Sequence, residues 1–347
     1  MSQNQFKHLA MGDIAKKAGV CMATVSRALN NPDRVSAKTR DLVMKVVEDM
    51  GYIPNRLAAS LRQGRSHNIA IMLPDITNPY FSPIVRTIEQ IALTRGYSVI
   101  LKDTQDDPAL ERSFAEMVKT RQVDGIITNS QRIPFDVDPK QPLHEQLPPI
   151  VNASEFCDLE GIPKVGVDNV AIGRDAAQHL LDFGHRCIAV ITGTSHILSS
   201  QQREAGFRQA LQAAQVKFDE KLLYQGDYSC ESGVAGVKAI MQLKHRPTAI
   251  FCFGDQVAIG ALHALRELGY RVPEDVSVIG VDGIALSQYS APPLTTVAQP
   301  LTQIGEHCAT LLIDLIEGKT PDSLVHILPH QLLIRASTGP VPTANSV

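Results

Sequence analysis

Residues 12–27 read Gly-Asp-Ile-Ala-Lys-Lys-Ala-Gly-Val-Cys-Met-Ala-Thr-Val-Ser-Arg, two short amphipathic helices hinged at Gly19. Ile14, Ala15 and Ala18 share one face of the first helix, Gly19 permits a sharp turn, and Val20 and Val25 supply an apolar seam between the two. The spacing predicts a helix-turn-helix. It leaves Met22, Ala23, Thr24, Ser26 and Arg27 on the free face and start of the second helix, where side chains reach base edges in a DNA major groove. Arg27 is the long donor among them, and its planar fork suits the O6 and N7 acceptors of a guanine. Any amphipathic helix pair with a glycine turn shares this pattern, so the flanking sequence has to decide.

The flanks favour DNA. Ser36 offers an N-cap for a third helix over residues 37–50, in which Leu42, Val43, Val46, Val47 and Met50 form a stripe, and Gly51 ends it. Residues 1–65 hold eleven Lys or Arg against five Asp or Glu; since the whole chain carries −3, a head with six surplus positive charges precedes a body with nine surplus negative ones. Lysine and arginine that displace counterions from phosphates account for such segregation, which a merely solvated surface does not. Residues 54–64 favour helix but are too few to be stable alone in water, and read as a linker that orders on its target. Leu61 is then placed to wedge between base steps in a minor groove and Arg62 to meet phosphate; an ordinary connector with one exposed leucine is the plainer alternative.

From Ser66 onward, apolar runs at 69–73, 98–101, 125–127, 150–152, 165–167, 187–191, 222–225, 249–253 and 276–280 alternate with amphipathic helical stretches such as 83–95 and 110–121. Continuous apolar strands separated by helices predict parallel sheets covered on both faces. This body is longer than one doubly wound sheet needs, so two lobes are expected. Ligands of such sheets sit beyond the carboxyl ends of the strands, which nominates Asn78, Tyr80, Phe81, Asn129, Ser130, Ser154 and Glu155 in the first half, and Ser199, Arg203, Tyr228, Asp255 and Asp282 in the second. Core packing would equally explain the aromatic residues, and loop capping the two aspartates. Asp103, Asp106 and Asp107 read as a solvated loop, and His185, just after a helix-ending glycine, as a cation meeting a helix dipole.

The stretches 13–20, 24–30, 35–40, 51–55, 75–81 and 292–300 together resemble the LacI/GalR family of bacterial transcription regulators. The resemblance implies a small all-α helix-turn-helix headpiece (1–52), a hinge helix or linker (53–65), and a two-lobed α/β core like the periplasmic binding proteins (66–347). In that core the N-lobe would take about 66–164 plus 297–326 and the C-lobe about 167–292 plus 329–340, with crossings near 163–168, 291–296 and 324–329. It further implies DNA contacts from Cys21, Met22, Ala23, Thr24, Ser26, Arg27, Asn30, Ser36, Thr39, Asn55, Arg56, Ala58, Leu61 and Arg62. Phe81 and Tyr228 match positions whose rings flank the effector, and Arg203 and Asp282 its polar anchors. Arg132-Ile-Pro-Phe-Asp136, Ser154-Glu-Phe156 and Leu286-Ser-Gln-Tyr-Ser-Ala-Pro-Pro293 resemble a nucleoside-responsive branch, whereas the hinge, with Leu61 in the wedge position, follows the ordinary family pattern. Ile197 stands where purine-responsive members carry an arginine.

Two positions depart from the family pattern. Ala10 replaces the usual capping Ser or Thr, leaving Asp13 to support the first helix, and Cys21 replaces a hydroxyl at the start of the recognition helix. With Met22 and Ala23 also poor in polar contacts, specificity is expected to lean on Arg27, on thymine methyl groups and on DNA shape.

The expected partners are thus a palindromic double-stranded DNA operator, a second copy of the chain, a small-molecule effector such as cytidine, and another DNA-bound regulator; a sugar or sugar phosphate is the alternative effector. A cytoplasmic, nucleoid-associated protein without cofactor, metal or membrane span is expected. Residues 1–10 lack a signal peptide's apolar core, and the six cysteines form no Cys-x-x-Cys pair. Neither a Gly-x-Ser-x-Gly elbow, a His-Glu-x-x-His helix, a phosphate loop nor a dinucleotide glycine fingerprint occurs, so an enzyme is not expected.

Overall fold

The computed structural model describes residues 9–52 and 64–342, and they fall into two compact units that divide between Ser66 and His67. Asn55, Arg56, Ala58, Leu61 and Arg62, proposed above as hinge contacts, lie outside the described residues, as does the side chain of Asn30.

The described residues of the first unit form three α-helices, α1 (Met11–Ala18), α2 (Met22–Asn30) and α3 (Ala37–Met50), with one 3-10 turn at Pro32–Arg34. Gly19 takes φ +66°, the left-handed conformation that lets α1 stop and α2 set off in a new direction. Ile14, Ala15, Ala18, Val25, Ala28, Val43, Val46 and Tyr52 bury themselves together, with Val20 and Val47 packed against them. Leu42, assigned above to the α3 stripe, is instead exposed. It sits about 100° around the helix from Val43, too far to share the face that Val43 and Val46 bury. Ala10 supplies no side-chain cap; the Asp13 carboxylate accepts the Ala10 N–H at 2.9 Å and so serves the α1 end from inside the helix.

The second unit holds β1 (Asn68–Leu73), α4 (Phe81–Thr94), β2 (Ser98–Asp103), α5 (Pro108–Lys119), β3 (Gly125–Thr128), α6 (Leu143–Gln146), β4 (Ile150–Ala153), β5 (Lys164–Val167), α7 (Asn169–Asp182), β6 (Ile188–Thr192), α8 (Leu198–Ala213), β7 (Leu223–Gln225), α9 (Cys230–Ile240), β8 (Ala249–Cys252), α10 (Asp255–Glu267), β9 (Ser277–Asp282), β10 (Thr295–Ala298), α11 (Leu301–Ile316), β11 (Val325–Leu328) and β12 (Gln331–Leu333). They build two six-stranded sheets, β11-β5-β4-β3-β1-β2 and β12-β10-β9-β8-β6-β7, parallel throughout except for β12 against β10. Helices cover both faces, which is why β3, β4, β8 and β9 are buried from end to end.

Of the three crossings between lobes, the middle one falls later than expected. β5 still pairs with β4, so the first comes after Val167. β10 pairs with β9, so residues 295–298 belong to the second lobe and the next crossing precedes α11, which packs on β3, β4 and β5. The last lies between β11, paired with β5, and β12, paired with β10. β10 escapes an apolar-run reading because its fully buried Thr295 and Thr296 are polar, their hydroxyls bonded inside the protein to Thr338 and Asp255.

Candidate functional site

On the head, α2 presents Cys21, Met22, Ala23 and Arg27 to solvent, with Thr24 and Ser26 half-buried beside them. Cys21 caps the helix through its backbone only. Its thiol lies 3.2 Å from the Thr24 hydroxyl, a contact that holds the thiol below its usual titration range. Ser36 Oγ accepts the Thr39 N–H at 3.3 Å, capping α3, and sits 2.8 Å from Thr39 Oγ1. The exposed face is therefore largely apolar apart from Arg27.

In the core, the carboxyl ends of both sets of strands face a cavity of about 400 Å³. Eleven of the twelve residues nominated from strand ends line it: Asn78, Tyr80, Phe81, Asn129, Ser130, Ser154, Glu155, Ser199, Arg203, Tyr228 and Asp282. Asp255 does not. It is fully buried, accepting the Ile284 N–H at 2.9 Å and the Thr296 hydroxyl at 2.6 Å, and so ties the loop after β9 to β10. Burial and the neighbouring Asp282 charge push its carboxyl up to about 8. Its place at the first turn of α10, one layer behind the cavity, makes it the loop cap of the alternative reading.

Arg203 anchors one wall. The backbones of α7 and α8 touch so closely that a methyl group on Gly206 would lie 1.9 Å from Val170 O, and one on Gly173 2.0 Å from Arg203 O. That approach lets the buried guanidinium donate from Nε to Asn169 Oδ1 at 2.9 Å and from Nη1 to Phe253 O, while Nη2 lies 3.9 Å from Asp282 Oδ1. Asp282 also accepts from Gln299 Nε2 at 2.9 Å. Its carboxyl rises to about 6 because burial outweighs the pull of Arg203 and Gln299. Gln299 Oε1 accepts the Tyr80 hydroxyl at 3.3 Å, and that hydroxyl lies 2.8 Å from Ser154 Oγ. One polar chain thus runs from the first lobe to the buried arginine of the second. A second link is direct: Ser199 N–H and hydroxyl both donate to Glu155, the former at 3.2 Å, and burial raises the Glu155 carboxyl against that support.

Aromatic surface completes the cavity. Phe81 packs edge-on to Tyr80, ring centroids 4.9 Å apart, and belongs to the apolar core as well as the lining. Tyr228 takes φ +68° and lies across Gly193, where a methyl group would meet its ring at 2.0 Å. Gln105, Asp106, Ser154 and Asp282 share positive φ with Tyr228, so five of the eight described non-glycine residues in that conformation line the cavity. Backbone strain concentrated there marks a site whose geometry the surrounding fold over-determines.

Several lining residues escape the strand-end rule. Gln299 follows β10 and Asn169 opens α7 after β5, both at crossings. Asp103 and Asp106, read above as a solvated loop, also line the cavity, because the loop after β2 turns toward the second lobe. His185 is no helix-end cation: it is fully buried, its Nδ1 2.9 Å from Thr248 Oγ1 and its Nε2 3.0 Å from Gly339 O, and burial depresses its pKa. Among the described residues no helix is long and apolar enough to cross a membrane.

The described geometry has close counterparts. The model for bacterial regulatory proteins of the LacI family matches residues 10–55, and that for the periplasmic binding protein-like domain matches residues 177–338. The chain is 38% identical over 332 residues to the HTH-type transcriptional repressor CytR of Escherichia coli strain K12, covering 96% of this chain and 97% of that protein. The lac repressor dimer bound to operator and the anti-inducer ONPF matches with a TM-score of 0.83 at 28% identity, over 96% of this chain and 100% of the other. A LacI family regulator from Enterococcus faecium with bound ribose matches at 0.70 and 30% identity, over 79% and 99%.

Proposed function

The chain belongs to the LacI family of bacterial regulatory proteins, and from that premise we propose that it is a transcriptional repressor whose operator affinity is set by a nucleoside, a pyrimidine nucleoside first, held in the cavity between the lobes. The observation that carries this reading is the charge and shape of the cavity. Six carboxyl groups, from Asp75, Asp103, Asp106, Glu155, Asp227 and Asp282, line it against the single arginine Arg203, which already places one Nε and one Nη1 donor on Asn169 and Phe253. A phosphate would enter that field unpaired, so a sugar phosphate or nucleotide is disfavoured. An uncharged ligand with a flat face for Phe81 and Tyr228 and hydroxyl groups for Arg203 and Asp282 satisfies the lining. Ile197 in the lining offers a purine base no hydrogen bond.

Binding in a two-lobed cleft favours one lobe arrangement over another, and that preference is what reaches the DNA. On the DNA side, one small head makes too few contacts for a unique site. Two heads of a homodimer would read the halves of a palindrome, Arg27 supplying the polar base contact. The exposed Leu93 on α4 and Leu268 at the end of α10 lie on helices suited to the dimer contact.

Calorimetry of the full-length protein against cytidine, uridine, adenosine, ribose, ribose 5-phosphate and cytidine 5′-phosphate tests the effector. Binding of an unphosphorylated nucleoside, with the two phosphates silent, is expected. The ribose bound to the Enterococcus faecium regulator favours a second reading, a free sugar; heat from ribose and from no nucleoside would establish it instead.

A further inference from the structure

Besides adding its carboxyl group to the lining, Asp106 takes part in a set of contacts across the mouth of the cavity that the effector reading does not use. The loop after β6 reaches across to the first lobe, where His196 Nε2 lies 2.7 Å from Asp106 Oδ2 and its carbonyl accepts Gln131 Nε2 at 2.7 Å. A carboxylate can only accept unless protonated, so the imidazole Nε2 carries the hydrogen of this bond. Each side is braced within its own lobe. On the first, Arg132 donates to Asp106 and, at 3.0 Å and 3.2 Å, to the buried carboxylate of Glu111. On the second, Ser195 accepts Gln201 Nε2 on its carbonyl at 2.8 Å and Gln225 Nε2 on its hydroxyl at 3.1 Å. Gln105 and Asp106 hold the bracing turn at φ +52° and +54°, a conformation kept for a purpose when non-glycine residues adopt it side by side. The Arg132-Ile-Pro-Phe-Asp136 stretch finds its use here: its arginine fixes the carboxylate that meets His196.

We propose that Asp106, Gln131 and His196 form a strap across the mouth of the cleft, which holds the lobes closed without ligand and sets how readily an effector enters and leaves. This rests on the reading of the cleft as the effector site, but the strap itself is a property of the empty protein. If closure is favoured before binding, every ligand must wait for the minor open population, and loosening the strap speeds entry and exit together. These are positioning residues: they act through the lobes, whatever sits between them.

The test needs no effector. Fluorophores placed by unnatural amino acids at the exposed Lys119, at the end of α5, and Lys221, before β7, report lobe separation in single ligand-free full-length molecules. The wild type is expected to populate mainly the short distance. His196→Ala and Asp106→Gly, the latter keeping the left-handed backbone, should each raise the long-distance population roughly threefold or more, and the double variant no further, since one bond is lost in all three. An unchanged distribution in His196→Ala, or single effects that multiply in the double variant, would overturn the strap. Either result leaves the calorimetric test of the effector untouched, so the two readings fail separately.

Discussion

In the head, most of the side chains proposed to meet DNA sit on one nine-residue helix, exposed or half-buried, whereas the cavity is assembled from loops up to 219 residues apart in sequence whose polar groups already bond one another. Arg27 stands exposed to solvent, whereas Arg203 is buried and already places its Nε and Nη1 donors on Asn169 and Phe253. The contrast separates two kinds of recognition. An exposed helix face contributes contact by contact and is weakened by salt. A buried network resists removal of any one member because its neighbours are left unsatisfied.

The largest effect that sharpens this contrast is expected from Arg203→Met. Leaving Asp282 buried without its cation should lower core stability by about 3–5 kcal/mol and abolish effector binding, while the head keeps its own melting behaviour. Calorimetric unfolding of the full chain checks it, and a loss confined to ligand affinity would mean that the network is looser than drawn. Next comes Arg27→Ala, expected to weaken operator binding by about 1–3 kcal/mol with effector affinity unaltered. Anisotropy on a selected operator measures it; equal losses on operator and on random DNA would assign Arg27 to phosphate rather than to a base. Ser36→Ala, removing the α3 cap, should cost the head about 1 kcal/mol and lower its melting point alone.

The remaining effect is a pH dependence. Because burial and the Asp282 charge raise the Asp255 carboxyl from its usual 3.8 up to about 8, the folded state favours its protonated form. The stability it contributes is full below the lower value and is lost as pH rises toward the upper one. Asp255→Asn should remove that loss, so the melting advantage of the variant over the wild type should widen from pH 5 to pH 8. Parallel curves would show that the Asp255–Asp282 repulsion is relieved in some other way.

Legibility in the sequence follows the same division. The head was readable because each of its signals is local: an apolar i, i+3, i+4 pattern, a turning Gly19, a capping Ser36. Leu42 was misplaced because a stripe read along a helix does not say how wide the buried face is. In the core, β1 to β9 announce themselves as apolar runs, and the rule that ligands sit at strand ends found half of the lining residues. What it missed lies at the crossings and at the rim. Gln299 follows β10, whose threonines hide a buried strand behind polar letters, while Asp106 and His196 acquire their meaning only when two lobes meet. Asp255 shows the opposite error: it occupies a strand end yet faces inward, since Gly280 leaves room for its carboxylate behind the cavity.

The central claim is that occupancy of the cleft changes what the head does on DNA. Its most direct test is anisotropy of the full-length protein on a palindromic fragment selected from random sequence, titrated with and without saturating cytidine or uridine. The account predicts a salt-sensitive affinity that a nucleoside shifts by about five- to 150-fold, as coupled sites of 1–3 kcal/mol require. An operator affinity unmoved by every nucleoside and by every free sugar would contradict it.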